Sequence, residues 1–336
     1  MTRACIEDRI SGEDWAKARK VAMPRTFEPM LATLYDTPFS DDDWIFERKL
    51  DGIRLLIFRN GESVELYTRN GKLRNDHFPE LVELFAAQPC GRFVLDGEVV
   101  AFDGDVTSFA RLQQRAGISD PEEARASGIP IHFYVFDSPW IEGYDIRPVP
   151  LRQRKAIVRD VLEYSSRLHF TAHRNADGEA LLAEARRKGW EGIIAKQANS
   201  CYRCGRSRRW LKLKCQAGQE LVIGGYTEPE GERVGLGALL LGYYEDDELR
   251  YAGRVGTGFS EAELRRLRRE LAASERSTSP FVDPPNEAGV HWVTPERVAE
   301  VEFTEWTADG KLRHPAYLGE RDDKDPREVV REAGGA

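Results

Sequence analysis

No stretch of this sequence approaches the ~20 consecutive apolar residues that a membrane-spanning helix requires, and the opening MTRACIEDRISGEDWAKARK lacks the apolar run of a secretory signal. These absences exclude a helical membrane protein and predict a cytoplasmic one. Cysteine is sparse. Cys5, Cys90, Cys201, Cys204 and Cys215 are odd in number and scattered over 336 positions, which fits reduced thiols better than a disulfide framework. The last three do cluster, but a zinc site needs a fourth ligand nearby, and these cysteines sit among arginines. Positive charge is in deficit, with 49 Lys and Arg against 57 Asp and Glu and a net charge of −8, which by itself counts against a nucleic-acid partner. There is no internal repeat, no low-complexity segment, and no regular strand-helix alternation of the Rossmann or TIM kind.

What is present is enough for two ordinary cores, since 41% of the residues are hydrophobic. Charge is unevenly spread. Acids concentrate at Asp41–Asp43, Glu228–Glu232 and Glu245–Glu248, whereas Arg203, Arg206, Arg208, Arg209, Lys212 and Lys214 lie together with no acid among them. A basic stripe on an acidic body can hold a polyanion; the alternative is an ordinary solvated face. An alternating strand here puts Lys212 and Lys214 on one face and packs Trp210, Leu211 and Leu213 on the other.

Residues 1–21 read as a short helix or extension. From Trp44, WIFERK, IRLLIFRN and SVELYTRN read as strands, with hairpin signals at Asn60-Gly61 and Asn70-Gly71. FPELVELFAAQ has helical spacing, RFVLDGEVVAF and IHFYVFDS read as strands, and SFARLQQRAG, LRQRKAIVRDVLEY and GEALLAEARRKG as helices. With the strands EGIIAK and RRWLKLK these predict an α+β domain over residues 22–217. Composition shifts at Gln216–Gln219. Beyond it, ELVIGGYTE, GALLLGYYE, LRYAGRVG and VAEVEFTEWT read as strands, with the helix EAELRRLRRELAAS before the fourth. Gly224-Gly225, Gly235, Gly237, Gly256 and Gly258 fall where a tight barrel bends, so residues 218–336 predict a small Greek-key barrel of the OB type.

Lys49-Leu50-Asp51-Gly52 lies between two strands, placing a lysine at a strand end beside a glycine that lets a nucleotide approach the backbone. Alone, the tetrapeptide is equally a surface turn. Its company carries more. ERKLDGIR, TRNG, LDGEVV, FYVFDS, EGIIAK and WLKLK resemble, in order, motifs I, Ia, III, IIIa, IV and V of the covalent nucleotidyltransferases, the ATP-dependent ligases and their capping relatives. EVEFTEWTADGKLRHPAYLGERDDK is similar to motif VI in the form typical of the bacterial end-joining ligase D family, and FEPMLAT is similar to the start of those ligase domains. The resemblance covers residues 22–331, and implies an α+β adenylation (nucleotidyltransferase) domain with antiparallel sheets plus a C-terminal OB-fold β-barrel. The chain departs from the broader pattern in carrying Cys204 and GRSRRW immediately before motif V, and no polymerase or nuclease segment accompanies the motifs.

The implied activity is ATP-dependent DNA ligation, in which Lys49 takes AMP from ATP, passes it to a 5′-phosphate, and a 3′-hydroxyl displaces it. An amine attacks phosphorus only when neutral, so Lys49 is expected to have a lowered pKa through Arg48, Arg54, the metal and partial burial. Glu98 and Glu191 suit Mg²⁺ or Mn²⁺, which prefer oxygen ligands. By resemblance, Lys212 and Lys214 hold the α-phosphate, Phe136 stacks on adenine, and Glu47 reads its amino group; a core aromatic is the alternative for Phe136. Arg54 and Arg69 suit ribose or phosphate, Arg69 toward the 5′-phosphate of the broken strand, and Arg203, Arg206, Arg208 and Arg209 suit the DNA backbone. In the barrel, Arg321, Asp323 and Lys324 would meet the β- and γ-phosphates when the domains close about Gln216–Gln219. Arg313 and His314 carry no assigned role. The partners implied are nicked or broken duplex DNA at the nucleoid and, by analogy, a Ku-type end-binding protein, with the enzyme a monomer. Two rivals remain: a capping guanylyltransferase or RNA ligase, and a non-catalytic OB-fold module that grips a strand without forming an adduct.

Overall fold

Short alternating stretches separated by tight turns do become strands in the computed structural model, which describes residues 11–215, 218–229, 231–287, 289–307 and 309–332. The chain divides into two units with the boundary after Cys215; the first two residues of the expected hinge lie outside the described residues.

The first unit begins with β1 (Arg19–Lys20), β2 (Met30–Leu34), β3 (Trp44–Lys49), β4 (Ile53–Asn60), β5 (Ser63–Thr68), β6 (Arg92–Asp103) and β7 (Val106–Thr107). It continues with β8 (Ile131–Ile141), β9 (Tyr144–Asp145), β10 (Leu168–Phe170), β11 (His173–Asn175), β12 (Gly192–Gln197) and β13 (Gly205–Lys214). One sheet runs β1-β9-β8-β6-β4-β5, with β10 on β8 and β7 on β6; the other runs β11-β3-β12-β13-β2. All pairs are antiparallel except β10 with β8 and β2 with β13, two exceptions that alternation alone does not reveal. The Asn60-Gly61 signal closes the β4–β5 hairpin, where Asn60 pairs with Ser63 and Gly61 takes φ +65. Asn70-Gly71 also turns the chain, but only a single bridge, Tyr67 to Leu73, follows it.

The helices are α1 (Gly12–Trp15), α2 (Pro79–Ala86), α3 (Phe109–Ala116), α4 (Pro121–Ala126), α5 (Leu151–Val161) and α6 (Gly178–Arg187). Apolar faces of α2 and α5, with Leu81, Phe85, Ile157 and Val161, share a core with Leu55, Ile57, Phe93, Leu95 and Phe133 of the first sheet. On the second sheet, Leu181, Leu182 and Ala185 of α6 pack on Phe46, Ile193, Ala195, Leu211 and Leu213. Each such leucine, isoleucine, valine or phenylalanine, fully buried, contributes roughly 1.5–3 kcal/mol.

Between β3 and β4 the chain passes from the second sheet to the first within Leu50–Gly52. Asp51 pins this crossing: its Oδ2 accepts from the backbone N–H of Phe109 at the start of α3 (3.0 Å), and its own N–H donates to Thr107 Oγ1 (3.2 Å). Gly52 has no space for a side chain, since a Cβ there would lie 2.3 Å from the Val99 carbonyl oxygen. The glycine expected to admit a nucleotide is thus required by the close passage of β6.

The second unit holds β14 (Gly218–Thr227), β15 (Leu239–Glu245), β16 (Glu248–Val255), β17 (Glu275–Arg276), β18 (Val290–Glu302), β19 (Glu305–Trp306), β20 (Leu312–Arg313) and β21 (Ala316–Glu320). All but β19 and β20, which pair with each other, make a half-barrel ordered β16-β15-β14-β18-β17 with β21 on β18. Helix α7 (Glu261–Ala272) opens with a capping box between Ser260 and Glu263 and buries Leu264, Leu267 and Leu271 in its core. The fourth long strand starts earlier than its apolar pattern, because Pro295 falls where the pairing with β14 jumps from Trp292↔Gly225 to Arg297↔Ile223. Among the described residues no helix is long and apolar enough to cross a membrane.

Candidate active site

Both sheets of the first unit wall one cleft of about 570 Å³, counting the space at its mouth. Glu47, Lys49, Ile194, Lys196 and Trp210 line it from the second sheet, Arg54, Glu98 and Phe136 from the first, and Thr171 from the link between β10 and β11. Strand register explains the grouping. Across β3, β12 and β13, Lys49 stands beside Gly192 and Gly192 beside Lys214, while Glu47, Ile194 and Lys212 form the next row. Gly192 (φ +157) has the Leu213 carbonyl oxygen 2.1 Å from where a Cβ would sit, so the two lysines flank a position without a side chain.

Lys49 is ion-paired with Glu191, and both are partly exposed. Burial and the charge of Lys214 act to lower the Lys49 pKa, but attraction to Glu191 outweighs them and the pKa is raised. This corrects the expected depression. The two arginines invoked for it are otherwise engaged: Arg54 forms a bidentate pair with Asp96 (2.8 and 2.6 Å), and Arg48 lies over the Trp190 ring (4.5 Å).

Glu47 is buried, with Oε1 2.5 Å from Lys155 Nζ and Oε2 2.6 Å from Lys196 Nζ. Burial alone would raise its pKa, yet the two ammonium groups hold it below the usual carboxylate range. His173, opposite Glu47 in β11, is pushed down to about 4 by burial and by Lys155, so it is neutral at physiological pH. Phe136 and Trp210 meet edge to face (6.1 Å), and Lys196 Nζ lies 4.3 and 4.2 Å from their ring centres. Trp210 shares the parity of Lys212 and Lys214 and faces the cleft, whereas only Leu211 and Leu213 enter the core behind the sheet. The expected packing of all three apolar residues on one side fails because a strand alternates strictly.

Of the expected site residues, the structure brings Glu47, Lys49, Arg54, Glu98 and Phe136 to the cleft wall, and ties Glu191 to it through Lys49. Lys212 and Lys214 occupy the adjoining strand. Arg69 lies in the turn after β5 and is not part of the wall. In the second unit, Arg321 is buried between Glu300 (2.7 Å) and a bidentate Asp323 (2.9 and 3.0 Å), and Lys324 pairs with Glu220 (2.7 Å). Arg203, Arg206 and Arg208 are exposed, and no carboxylate pairs with them or with Arg209 among the described residues. Sequence reasoning missed Lys155 and Thr171 entirely, and gave Lys196 no role although it ends EGIIAK.

A cation fits the acids present. Glu98 lines the cleft, and Oε2 of Glu191, the partner of Lys49, is buried without a hydrogen-bond partner among the described residues. No cluster of three or more His, Cys, Asp or Glu placed to hold a metal occurs among the described residues, so an ion here would rely on one or two carboxylates, phosphate and water. Cys201, Cys204 and Cys215 are free thiols.

A two-sheet α+β unit with a lysine-lined cleft, followed in the chain by a half-barrel, defines the adenylation-plus-OB class of nucleotidyltransferase fold. Residues 29–214 match the family model of the ATP dependent DNA ligase domain, and residues 232–324 that of the ATP dependent DNA ligase C terminal region. The chain belongs to the ATP-dependent DNA ligase family. The multifunctional non-homologous end joining protein LigD of Pseudomonas aeruginosa is 41% identical over 321 residues, covering 93% of this chain and 37% of that protein. LigD of Mycolicibacterium smegmatis is 36% identical over 333 residues, covering 96% and 42%. A solved mycobacterial DNA ligase D complexed with ATP and MES shares 35% identity at a TM-score of 0.64, covering 91% of this chain and 98% of that one. The chain therefore spans less than half the length of these curated relatives.

Proposed function

We propose that this chain seals breaks between a 3′-hydroxyl and a 5′-phosphate in duplex DNA, through a lysyl-AMP on Lys49 and then a DNA-adenylate. The observation that carries this reading is Lys49 at a strand end on the cleft, paired with Glu191 and flanked across Gly192 by Lys214. In the first step the Lys49 nitrogen bonds to the α-phosphorus of ATP, the bond to pyrophosphate breaks, and the amine proton is lost. Glu191 keeps Lys49 charged at rest. Once Glu191 is engaged elsewhere, burial and Lys214 act on the amine against Asp51 alone and favour its neutral form. Mg²⁺ or Mn²⁺ held by Glu98 and Glu191 would neutralise phosphate charge at this place. Lys212 and Lys214 stabilise the charge gathering on the α-phosphate oxygens. Phe136 and Trp210 supply the aromatic wall for the base.

The relatives are named for non-homologous end joining, and we extend that pathway, with a Ku-type end-binding partner, to this chain. The exposed Arg203, Arg206 and Arg208 supply phosphate contacts for the DNA. Incubation with α-labelled ATP is expected to label the protein covalently, and Lys49→Ala to abolish the label; a labelled alanine variant would dispose of the assignment.

A further inference from the structure

Lys155 belongs to none of the ordered motifs. It projects from α5, is 1% exposed, and does not line the cleft. Its ammonium nevertheless reaches two oxygens beneath it, the 2.5 Å pair with Glu47 Oε1 and a 2.9 Å hydrogen bond donated to the Thr171 carbonyl oxygen, and lies 4.6 Å from the Phe170 ring centre. Thr171 itself lines the cleft, and its Oγ1 is buried with no partner among the described residues. One buried cation thus fixes a carboxylate and the peptide carrying an unused hydroxyl, both at the same wall.

We infer that Lys155 is a positioning residue that sets nucleobase choice, by holding Glu47 as an acceptor that takes the amino group of adenine and refuses the carbonyl oxygen of guanine. This rests on the proposed reading that the cleft takes ATP. An ionised carboxylate offers about four lone-pair sites and no donor. Lys155 and Lys196 occupy one on each oxygen, leaving one on each for a ligand donor. Adenine presents an N–H donor where guanine presents an acceptor, so charged Glu47 matches the first and repels the second. Without Lys155, Lys196 alone opposes the burial of Glu47, and the carboxyl shifts toward its neutral form. A neutral carboxyl can donate to the guanine oxygen, and the distinction is lost. The unpartnered Thr171 hydroxyl, which can donate or accept, supplies a second contact to the base edge in the register that Lys155 fixes.

Equilibrium binding of ATP and of GTP to the full chain in a Lys49→Ala background tests this without requiring chemistry. The background protein is expected to prefer ATP, and added Lys155→Met to cut the ATP:GTP affinity ratio by about tenfold or more, equivalent to ~1.4 kcal/mol. Lys155→Arg, which restores the charge, is expected to retain the ratio. A role confined to folding would weaken both nucleotides alike, so a Lys155→Met ratio within about threefold of its background overturns the inference. So does a background with no preference for ATP. If Lys155→Met does not fold, Lys155→Gln, which keeps a donor but not the charge, is read by the same ratio. Failure of the covalent label with the ATP preference intact would strike the ligase chemistry alone.

Discussion

Lys49 and Glu47 stand two positions apart on β3 and line one cleft, yet each is held charged by partners from outside that strand. For Lys49 the consequence is measurable. Competitive acetylation of amines across pH, read by mass spectrometry on nucleotide-free protein, is expected to show a Lys49 midpoint above that of an ordinary lysine. Glu191→Gln is expected to move that midpoint downward, because burial and Lys214 are then opposed by Asp51 alone; an unmoved profile would show that Glu191 does not govern this amine. The sign for stability follows. A pKa raised on folding means that the pair stabilises fully below the ordinary lysine range and ceases to do so as pH rises through the higher folded value. At this scale the sequence showed Lys49, Glu191 and Phe136 because each lies in a short contiguous motif. Lys155 and Thr171 were hidden because only the packing of α5 and the β10–β11 link brings them to Glu47.

Among elements, the β3–β4 crossing is the most tightly constrained. Gly52→Ala would drive a methyl carbon into the Val99 carbonyl oxygen and Val100, whereas a Cβ at Gly61 would meet nothing within 4 Å, although φ +65 remains strained there. Urea unfolding is expected to show a loss of about 1–3 kcal/mol for Gly52→Ala, the usual range for overpacking, and a smaller loss for Gly61→Ala. Equal losses would mean that β6 gives way easily. The strands WIFERK, IRLLIFRN and SVELYT were legible because alternation and a hairpin turn agree. Short β10, β11 and β21 were not, since three to five residues carry too little periodicity and owe their state to the strand beside them. Trp210 shows the same limit from the other side: hydrophobicity assigned it to the core, while strict alternation turned it to the cleft.

For the molecule as a whole, net charge misleads and distribution informs. A chain of net charge −8 carries exposed Arg203, Arg206 and Arg208 on one short segment, with no acid paired to them among the described residues. Replacing Arg203 and Arg208 by alanine is expected to weaken binding to nicked duplex uniformly across sequences. The slope of log affinity against log salt should shrink by about 0.9 for each phosphate that is no longer neutralised. An unchanged slope would place the DNA elsewhere. The chain divides into two units after Cys215, beside the composition shift at Gln216–Gln219. The cleft was not legible in the sequence, because its wall draws on both sheets and exists only once they close on each other.

That shared wall gives the three residues Leu50–Gly52 a further meaning. They are the stitch at which one sheet hands the backbone to the other, with the amine on one side of the seam and the arginine–aromatic wall on the other. A circularly rearranged chain opened at the Asn60-Gly61 hairpin would keep the stitch, and with it every side chain of the pocket in reach of its neighbours. Opened at Asp51, the chain would still be one piece, but Lys49 and Arg54 would lie near its two opposite ends, and the tie from Asp51 to Phe109 and Thr107 would be cut.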